Sequence, residues 1–374
     1  MTKGSLRVLA MGAVLMSVAS VAHADISVGT AGPMTGANAF FGVSWMNGMD
    51  LAFKEINDAG GINGEKLVLE RQDDQADPRQ GTLIAQRFCD DASIVAVFGH
   101  LNSGVTIPAS PIYSSCDLAV VTTSTNPRVT EGGFTNIFQI MGNDYVQGRL
   151  PANYAIDKGL KKAAVIHDKT AFGQGVADIF ASSFKERGGE ITSVSGVAAT
   201  DVDFSAVLST IKLEGPDVIY YGGGMPAGGL ILKQARSLGI DALFIGADTV
   251  FLPDFIDTAG KDAAQGAIVT NAAAPFDASK ELGDFAGKYK AVYNEEPGPY
   301  SSYGYTMAYV LADAIKRAGT TERKAIITAL HDTDYDSIIG HIRFDDKGAL
   351  IDPVLYLYEV DGGDFKLIGD SRSD

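Results

Sequence analysis

Strand-like apolar runs alternate with helical patterns along almost the whole chain, and this alternation restricts the fold more than any other property of the sequence. It is the signature of parallel strands joined by crossover helices, so the expected class is α/β with helix-covered parallel sheets. Ile26-Ser27-Val28-Gly29 reads as the first strand and Leu67-Val68-Leu69 as the second. Between them Met46, Met49, Phe53 and Ile56 fall on one helix face, and Gly60-Gly61 stops that helix, as residues tolerant of left-handed backbone do. Asp77-Pro78 is a cap followed by a first-turn proline, opening the helix that carries Leu83 and Ile84. Further on, Ala163 to Ile166, Val218 to Tyr221 and Leu243 to Ile245 read as strands. Helices are expected from about Gly175 to Arg187, after a cap at Asp203, up to Leu238, and from Tyr300 to Lys316. Leu355 to Val360 alternates and should be an edge or hairpin strand. The pattern forms two successive blocks, about 25–143 and 144–271, then a helical return. Two lobes with a cleft between them follow, joined by short crossovers suited to a hinge.

The densest functional signal lies from Val97 to Pro127. A strand, Ile94 to Phe98, ends in Gly99-His100-Leu101-Asn102-Ser103-Gly104; a helix follows; a second strand, Leu118 to Val121, ends in Thr122-Thr123-Ser124-Thr125-Asn126. Neighbouring parallel strands would bring both hydroxyl-rich turns to one carboxyl edge, where open α/β sheets bind ligands. Hydroxyls and free N–H groups at a helix start suit a small anion such as a carboxylate. The same residue types also make ordinary caps and turns.

Residues 1–24 read as a secretory signal peptide: Lys3 and Arg7 precede an apolar run from Val8 to Ala19, and Ala22-His23-Ala24 is a cleavage site before Asp25. The apolar run is shorter than the roughly 20 residues a spanning helix needs, and no Cys follows it to carry a lipid. Cleavage after Ala24 would take the net charge from −16 to −18 by removing Lys3 and Arg7. Such an acidic chain, without a basic stripe, argues against nucleic acid as a partner. What remains exceeds what one core usually organises, so two domains are expected. Cys89 and Cys116 are the two cysteines. In an exported protein an even count reads as a disulfide, against a second reading as two unrelated buried thiols. A bond would close a loop of about 28 residues, worth roughly 3.5 kcal/mol in the chain-entropy treatment.

Enzyme signatures are mostly missing: there is no HExxH, no metal-ligand spacing, no G-x-S-x-G elbow and no phosphate-binding P-loop. His100 and His167 end strands and read best as hydrogen-bonded structural residues. Gly222-Gly223-Gly224-Met225-Pro226-Ala227 matches G-x-G-x-x-A after a strand, with Asp241 downstream, as in a dinucleotide site. The other reading is backbone room for a ligand at a cleft edge; no cofactor is expected. Asp248 follows a strand and is either a turn residue or, on a cleft edge, the receiver of an ammonium group. Phe40, Phe41, Tyr300 and Tyr303 stand at loop or helix beginnings and are core residues or apolar cleft walls.

Taken in order, Gly60-Gly61-Ile62-Asn63-Gly64, Asp73-Asp74 with Asp77-Pro78, Gly99-His100-Leu101, His167-Asp168-Lys169 with Phe172-Gly173, and Tyr220-Tyr221-Gly222-Gly223 carry a family resemblance. Over nearly all of residues 25–360 the chain resembles the periplasmic binding proteins of branched-chain amino acid ABC transporters, the leucine/isoleucine/valine-binding type. The resemblance implies the type I fold: two Rossmann-like lobes with parallel central sheets joined by a multi-strand hinge. By residue, it implies lobes of 25–143 plus 272–350 and 144–271 plus 351–374. It also implies that Ser103 and Thr125 hold a ligand carboxylate, that a carbonyl near Thr123 and the acid Asp248 hold the ammonium, and that Phe41, Phe172 and Tyr300 wall the side-chain pocket.

This sequence departs from the family pattern at several of these points. Gly224 stands where relatives often have a covering Tyr, which should enlarge the pocket, and Asp248 is shorter than the usual Glu. Ala76 and Asn102 occupy the positions of the usual family disulfide, so a Cys89–Cys116 bond would be a different staple. The implied function is capture of a branched-chain or related small amino acid by a periplasmic, monomeric protein, not an enzyme, that serves a membrane permease. The alternatives are an amide, aromatic acid or other carboxylate as ligand on the same fold, and an exported hydrolase.

Overall fold

The computed structural model describes residues 25–373, and the expected signal segment 1–24 lies outside them. The first sheet is built by β1 (Ile26–Gly32), α1 (Ala39–Asp58), β2 (Leu67–Asp73), α2 (Pro78–Asp90), β3 (Ile94–Gly99), α3 (Ser103–Ser115), β4 (Ala119–Thr122) and β5 (Ile137–Gln139). Its strands run parallel in the order β2-β1-β3-β4-β5. A crossover then leads to α4 (Asp144–Asp157), β6 (Lys162–His167), α5 (Ala171–Glu186), β7 (Glu190–Gly196), α6 (Ser205–Glu214), β8 (Val218–Gly222) and α7 (Ala227–Ser237). Next come β9 (Leu243–Gly246), α8 (Pro253–Ala259), α9 (Lys261–Ala264) and β10 (Ile268–Asn271). After a second crossover α10 (Lys280–Tyr293), α11 (Ser301–Ala318) and α12 (Arg323–His331) return to the first sheet, where α11 packs along α1 and α12 against β3 and β4. A small hairpin, β11 (Tyr335–Ser337) and β12 (Gly340–Ile342), precedes the last crossover. β13 (Tyr356–Asp361) and β14 (Asp364–Asp370) then complete the second sheet, β14-β13-β10-β9-β8-β6-β7.

The α/β class and the parallel sheets follow the sequence expectation. β3 and β4 are buried along their whole length, as continuous apolar runs covered on both faces must be. Helix α1 lies against α11 at backbone distance: a Cβ on Gly48 would overlap the Ser301 carbonyl, and one on Gly304 the Trp45 carbonyl. Trp45 is fully buried there and donates its indole N–H to Met307 Sδ.

Two local expectations shift. Helix α5 begins at Ala171 rather than near Gly175, because the Thr170 hydroxyl accepts the Gly173 N–H and starts the helix earlier. Phe204, not Asp203, is the N-cap of α6; the Asp203 carboxylate still accepts the Ser205 N–H from one residue before the cap. β13 is the expected hairpin strand: it pairs antiparallel with β14, which adds beyond it. The cysteine pair is bonded: Cys89–Cys116, with Cα atoms 5.7 Å apart, ties the end of α2 to the end of α3. Over the same helix ends lies Arg323, whose guanidinium donates to the carbonyls of Phe88, Cys89, Asp91, Ile94 and Cys116.

Candidate functional site

Each sheet reverses its strand order once, and a ligand site forms where the loops on either side of such a reversal leave a crevice. In the first sheet the reversal lies between β1 and β3, and in the second between β6 and β8. The loops leaving these four strands supply Asn38, Leu101-Asn102, Asp168 to Thr170, and Gly224 to the wall of one cavity of about 390 Å³. That volume lies within the roughly 300–1,000 Å³ usual for small-molecule sites. A larger concavity of about 520 Å³ beside Lys233 and Lys261 is open to solvent and does not touch either crevice.

The first-lobe wall is polar and rich in donors. Asn102 holds the N-cap position of α3 but makes no side-chain cap bond, and its Oδ1 is buried without a partner. The start of α3 therefore points uncapped N–H groups and a positive dipole end toward the cavity, where an anion is favoured. Ser103, the first residue of the helix, accepts the N–H groups of Thr125 and Asn126 at 3.2 Å each and so locks the two hydroxyl-rich turns together. Thr123 and Thr125 complete this wall, Thr123 with a buried hydroxyl that has no partner. Beneath it His100 bonds Asp74 at 2.7 Å through Nδ1 and Tyr113 at 3.2 Å through Nε2, the structural role expected for that histidine.

Behind the opposite wall, against Tyr300, lies a carboxylate. Asp248 is buried, and the Tyr300 hydroxyl donates to its Oδ2 at 2.8 Å while Oδ1 has no partner. Burial pushes its carboxyl up to about 6, against the pull of the Tyr300 hydroxyl and the Thr249 N–H. Tyr300 itself is raised well above the usual phenol range by burial and then by Asp248, so it remains a donor. Phe172 and Gly224 line the cavity, and a Cβ on Gly224 would meet only Thr249 Cβ, at 4.0 Å. One end of the cavity thus suits an anion and the other a cation, with apolar rings between.

Of the residues singled out from sequence, Ser103, Thr123, Thr125, Phe172, Tyr300 and Gly224 line this cavity together. Asp248 and Phe41 sit directly behind Tyr300: Asp248 through its hydrogen bond and Phe41 with its ring 5.2 Å from the tyrosine ring. Tyr303 points away, donating to the Ala272 carbonyl, and Phe40 is exposed. The dinucleotide alternative loses its acid. Asp241 precedes β9 and so lies at the amino edge of the sheet, whereas Gly222 and Gly224 lie at the carboxyl edge. Sequence reasoning missed Asp144 and Tyr220, whose buried polar atoms have no hydrogen-bond partners at good geometry and whose pKa values are raised by burial first, with Asp248 as a further negative charge. Asp144 opens α4, where an acid reads as an ordinary complement to the helix dipole, and Tyr220 sits in a strand where an aromatic reads as core. Only their convergence in space marks them.

Residues 25–364 match the periplasmic binding protein family over nearly the whole described chain. A Leu/Ile/Val-binding protein homolog of Brucella abortus is 37% identical over 358 residues, covering 94% of each chain. Among solved structures, a leucine-binding protein LivK of Thermotoga maritima superposes with a TM-score of 0.85 at 28% identity, over 92% of this chain and 98% of that one. The branched-chain amino acid transporter substrate-binding protein LivJ of Streptococcus pneumoniae, determined with isoleucine, gives 0.82 at 26% identity over 92% and 98%. The two reversal points facing one cavity, the sheet orders and these likenesses agree, and the chain belongs to the periplasmic binding protein family.

Proposed function

We propose that the protein is an extracytoplasmic solute-binding protein, cleaved after Ala24, that captures a branched-chain or related small amino acid between its lobes. It then delivers the ligand to the permease of an ABC transporter. The observation that carries this reading is the polarity of the cavity: uncapped N–H groups and hydroxyls at one end, a buried acid at the other, and rings between. That is the complement of a zwitterion with an apolar side chain. Ser103 and Thr125 would take the carboxylate, the turn at Thr123 and Asp248 the ammonium, and Phe41, Phe172 and Tyr300 the side chain. The lobes 25–143 plus 272–350 and 144–271 plus 351–374 would close as bodies on the ligand, and expulsion of water strengthens the charged contacts. The protein acts as a monomer and performs no chemistry on its cargo.

The test is calorimetry on protein unfolded and refolded to strip bound ligand, with L-leucine, L-isoleucine and L-valine. At least one should bind, and Ser103→Ala and Asp248→Ala, made separately, should each weaken it by roughly 10- to 100-fold, the loss of a hydrogen bond to a charged group. Unchanged affinity in both variants overturns the assignment.

A further inference from the structure

Two asparagine side chains line the cavity and take no part in the proposed contacts. Asp77, Asn143, Thr170 and Ser279 each stand at a helix N-cap and accept a first-turn N–H, the ordinary work of such residues. Asn38 before α1 and Asn102 before α3 hold the same position and make no such bond. Both face the cavity, from the loops after β1 and β3. Asn102 Oδ1 is buried without a partner, and neither amide has another partner among the described residues. The backbone at Asn102 is extended, with φ −90° and ψ 129°, so Asn102 and Ser103 leave the chain on different sides. Ser103 turns to the loop after β4, where it accepts the Thr125 and Asn126 N–H groups. Asn102 is left for the other side, toward β1, the second neighbour of β3. The loops on that side also bring Asn38, Ala76 and Pro78 to the wall. Thr123, the other cavity residue with a buried, partnerless oxygen, stands on the β4 side.

A carboxamide offers an acceptor oxygen and two donor N–H groups and carries no charge. A buried amide oxygen left unpaired in a cavity wall costs free energy until a donor reaches it. A ligand methyl group cannot supply that donor; a hydroxyl or an amide can. We infer that Asn102, aided by Asn38, is a specificity-determining residue that reads a hydroxyl or carboxamide on the ligand's side chain. This rests on the amino acid reading of the cavity given above and extends it from apolar side chains to small, polar, uncharged ones. The carboxylate stays with Ser103 and Thr125 on the β4 side, and the side-chain group lies toward β1, against the two amides. Phe172 and Tyr300 still cover the carbons between. Threonine is the direct probe, because it keeps the shape of valine and replaces one methyl group by a hydroxyl.

The experiment is calorimetry of L-threonine, L-valine and L-leucine binding to the stripped and refolded protein. Wild type should bind threonine about 10- to 100-fold more tightly than valine, the penalty valine incurs by leaving a buried polar group unpaired. Asn102→Leu, close in size to the native side chain, should abolish or reverse that preference, and Asn38→Ala should narrow it. With no cap bond to lose, Asn102→Leu should melt within a few degrees of wild type; Asn102→Ala is read in the same way if the leucine variant does not fold. Valine bound as tightly as threonine by wild type overturns the role of Asn102 and leaves the amino acid reading intact. So does leucine bound with neither of the two, or a threonine preference that both Asn102 variants retain. Wild type that binds none of the three amino acids overturns that reading, and the role of Asn102 with it.

Discussion

Two glycines two positions apart show how little their letters reveal. A Cβ on Gly222, at the end of β8, would overlap the Gly173 carbonyl, so the glycine is needed for the strand end to touch the start of α5. Gly224 has open space around it and faces the cavity. Gly222→Ala should therefore cost about 1–3 kcal/mol, the range for overpacking, and lower the melting temperature by several degrees. Gly224→Ala should leave stability within about 0.5 kcal/mol. Thermal melts of the two variants side by side check this. In sequence both belonged to one G-x-G-x-x-A string, read as backbone room at a cleft edge rather than a cofactor site; the distinction between the two glycines needs the backbone opposite each. Asp144 was hidden for the same kind of reason. Its raised pKa also carries a stability sign: the folded protein holds a proton that the unfolded chain has released. This contribution is full below about pH 4 and is lost as pH rises toward about 8. Ligand-free wild type should accordingly lose more stability between pH 5.5 and pH 8 than Asp144→Asn, which chemical denaturation at the two pH values would measure.

At the scale of elements, the sequence was most legible where a segment's own pattern settles its structure. The apolar strands β1, β3, β6 and β8 and the long helices α1 and α11 stand where periodicity put them. The short strands β5 and β10 were not singled out, because three or four residues carry no period, nor was β7, whose seven residues are largely polar and half-buried. Long-range clamps are equally silent. Arg323 is the first residue of α12, yet its guanidinium serves as C-terminal cap to α2 and α3 together, on the ends that Cys89–Cys116 ties. A planar fork of five donors can reach so many carbonyls, and a lysine cannot. Arg323→Lys should destabilise by about 1–3 kcal/mol, and more steeply once the disulfide is reduced, since either tie partly holds what the other does. Urea unfolding of both proteins with and without reductant measures that coupling. Equal losses in the two redox states would mean the clamp and the bond act independently.

For the whole molecule, contacts already run across the cleft. Asn126 donates to the Ala171 carbonyl, and Tyr300 to Asp248, so hydrogen bonds from the first-sheet side meet groups of the second. An Asn126→Ala, Tyr300→Phe double variant should favour separation of the lobes. Small-angle scattering of the ligand-free variant should give a larger radius of gyration than wild type, and leucine should leave it faster. The chain passes between the two sheets three times, and two of those passes pair with each other, Gln139 accepting from Leu350 N and donating to Gly348 O. The same wiring has a consequence in time. A ribosome delivers β1 to β5 first, but the helix that covers Trp45 and Phe53 arrives only with residues 301–318. The second sheet in turn waits for Tyr356–Asp361. Neither lobe can finish folding on its own stretch of nascent chain, so both sheets stay incomplete through most of synthesis.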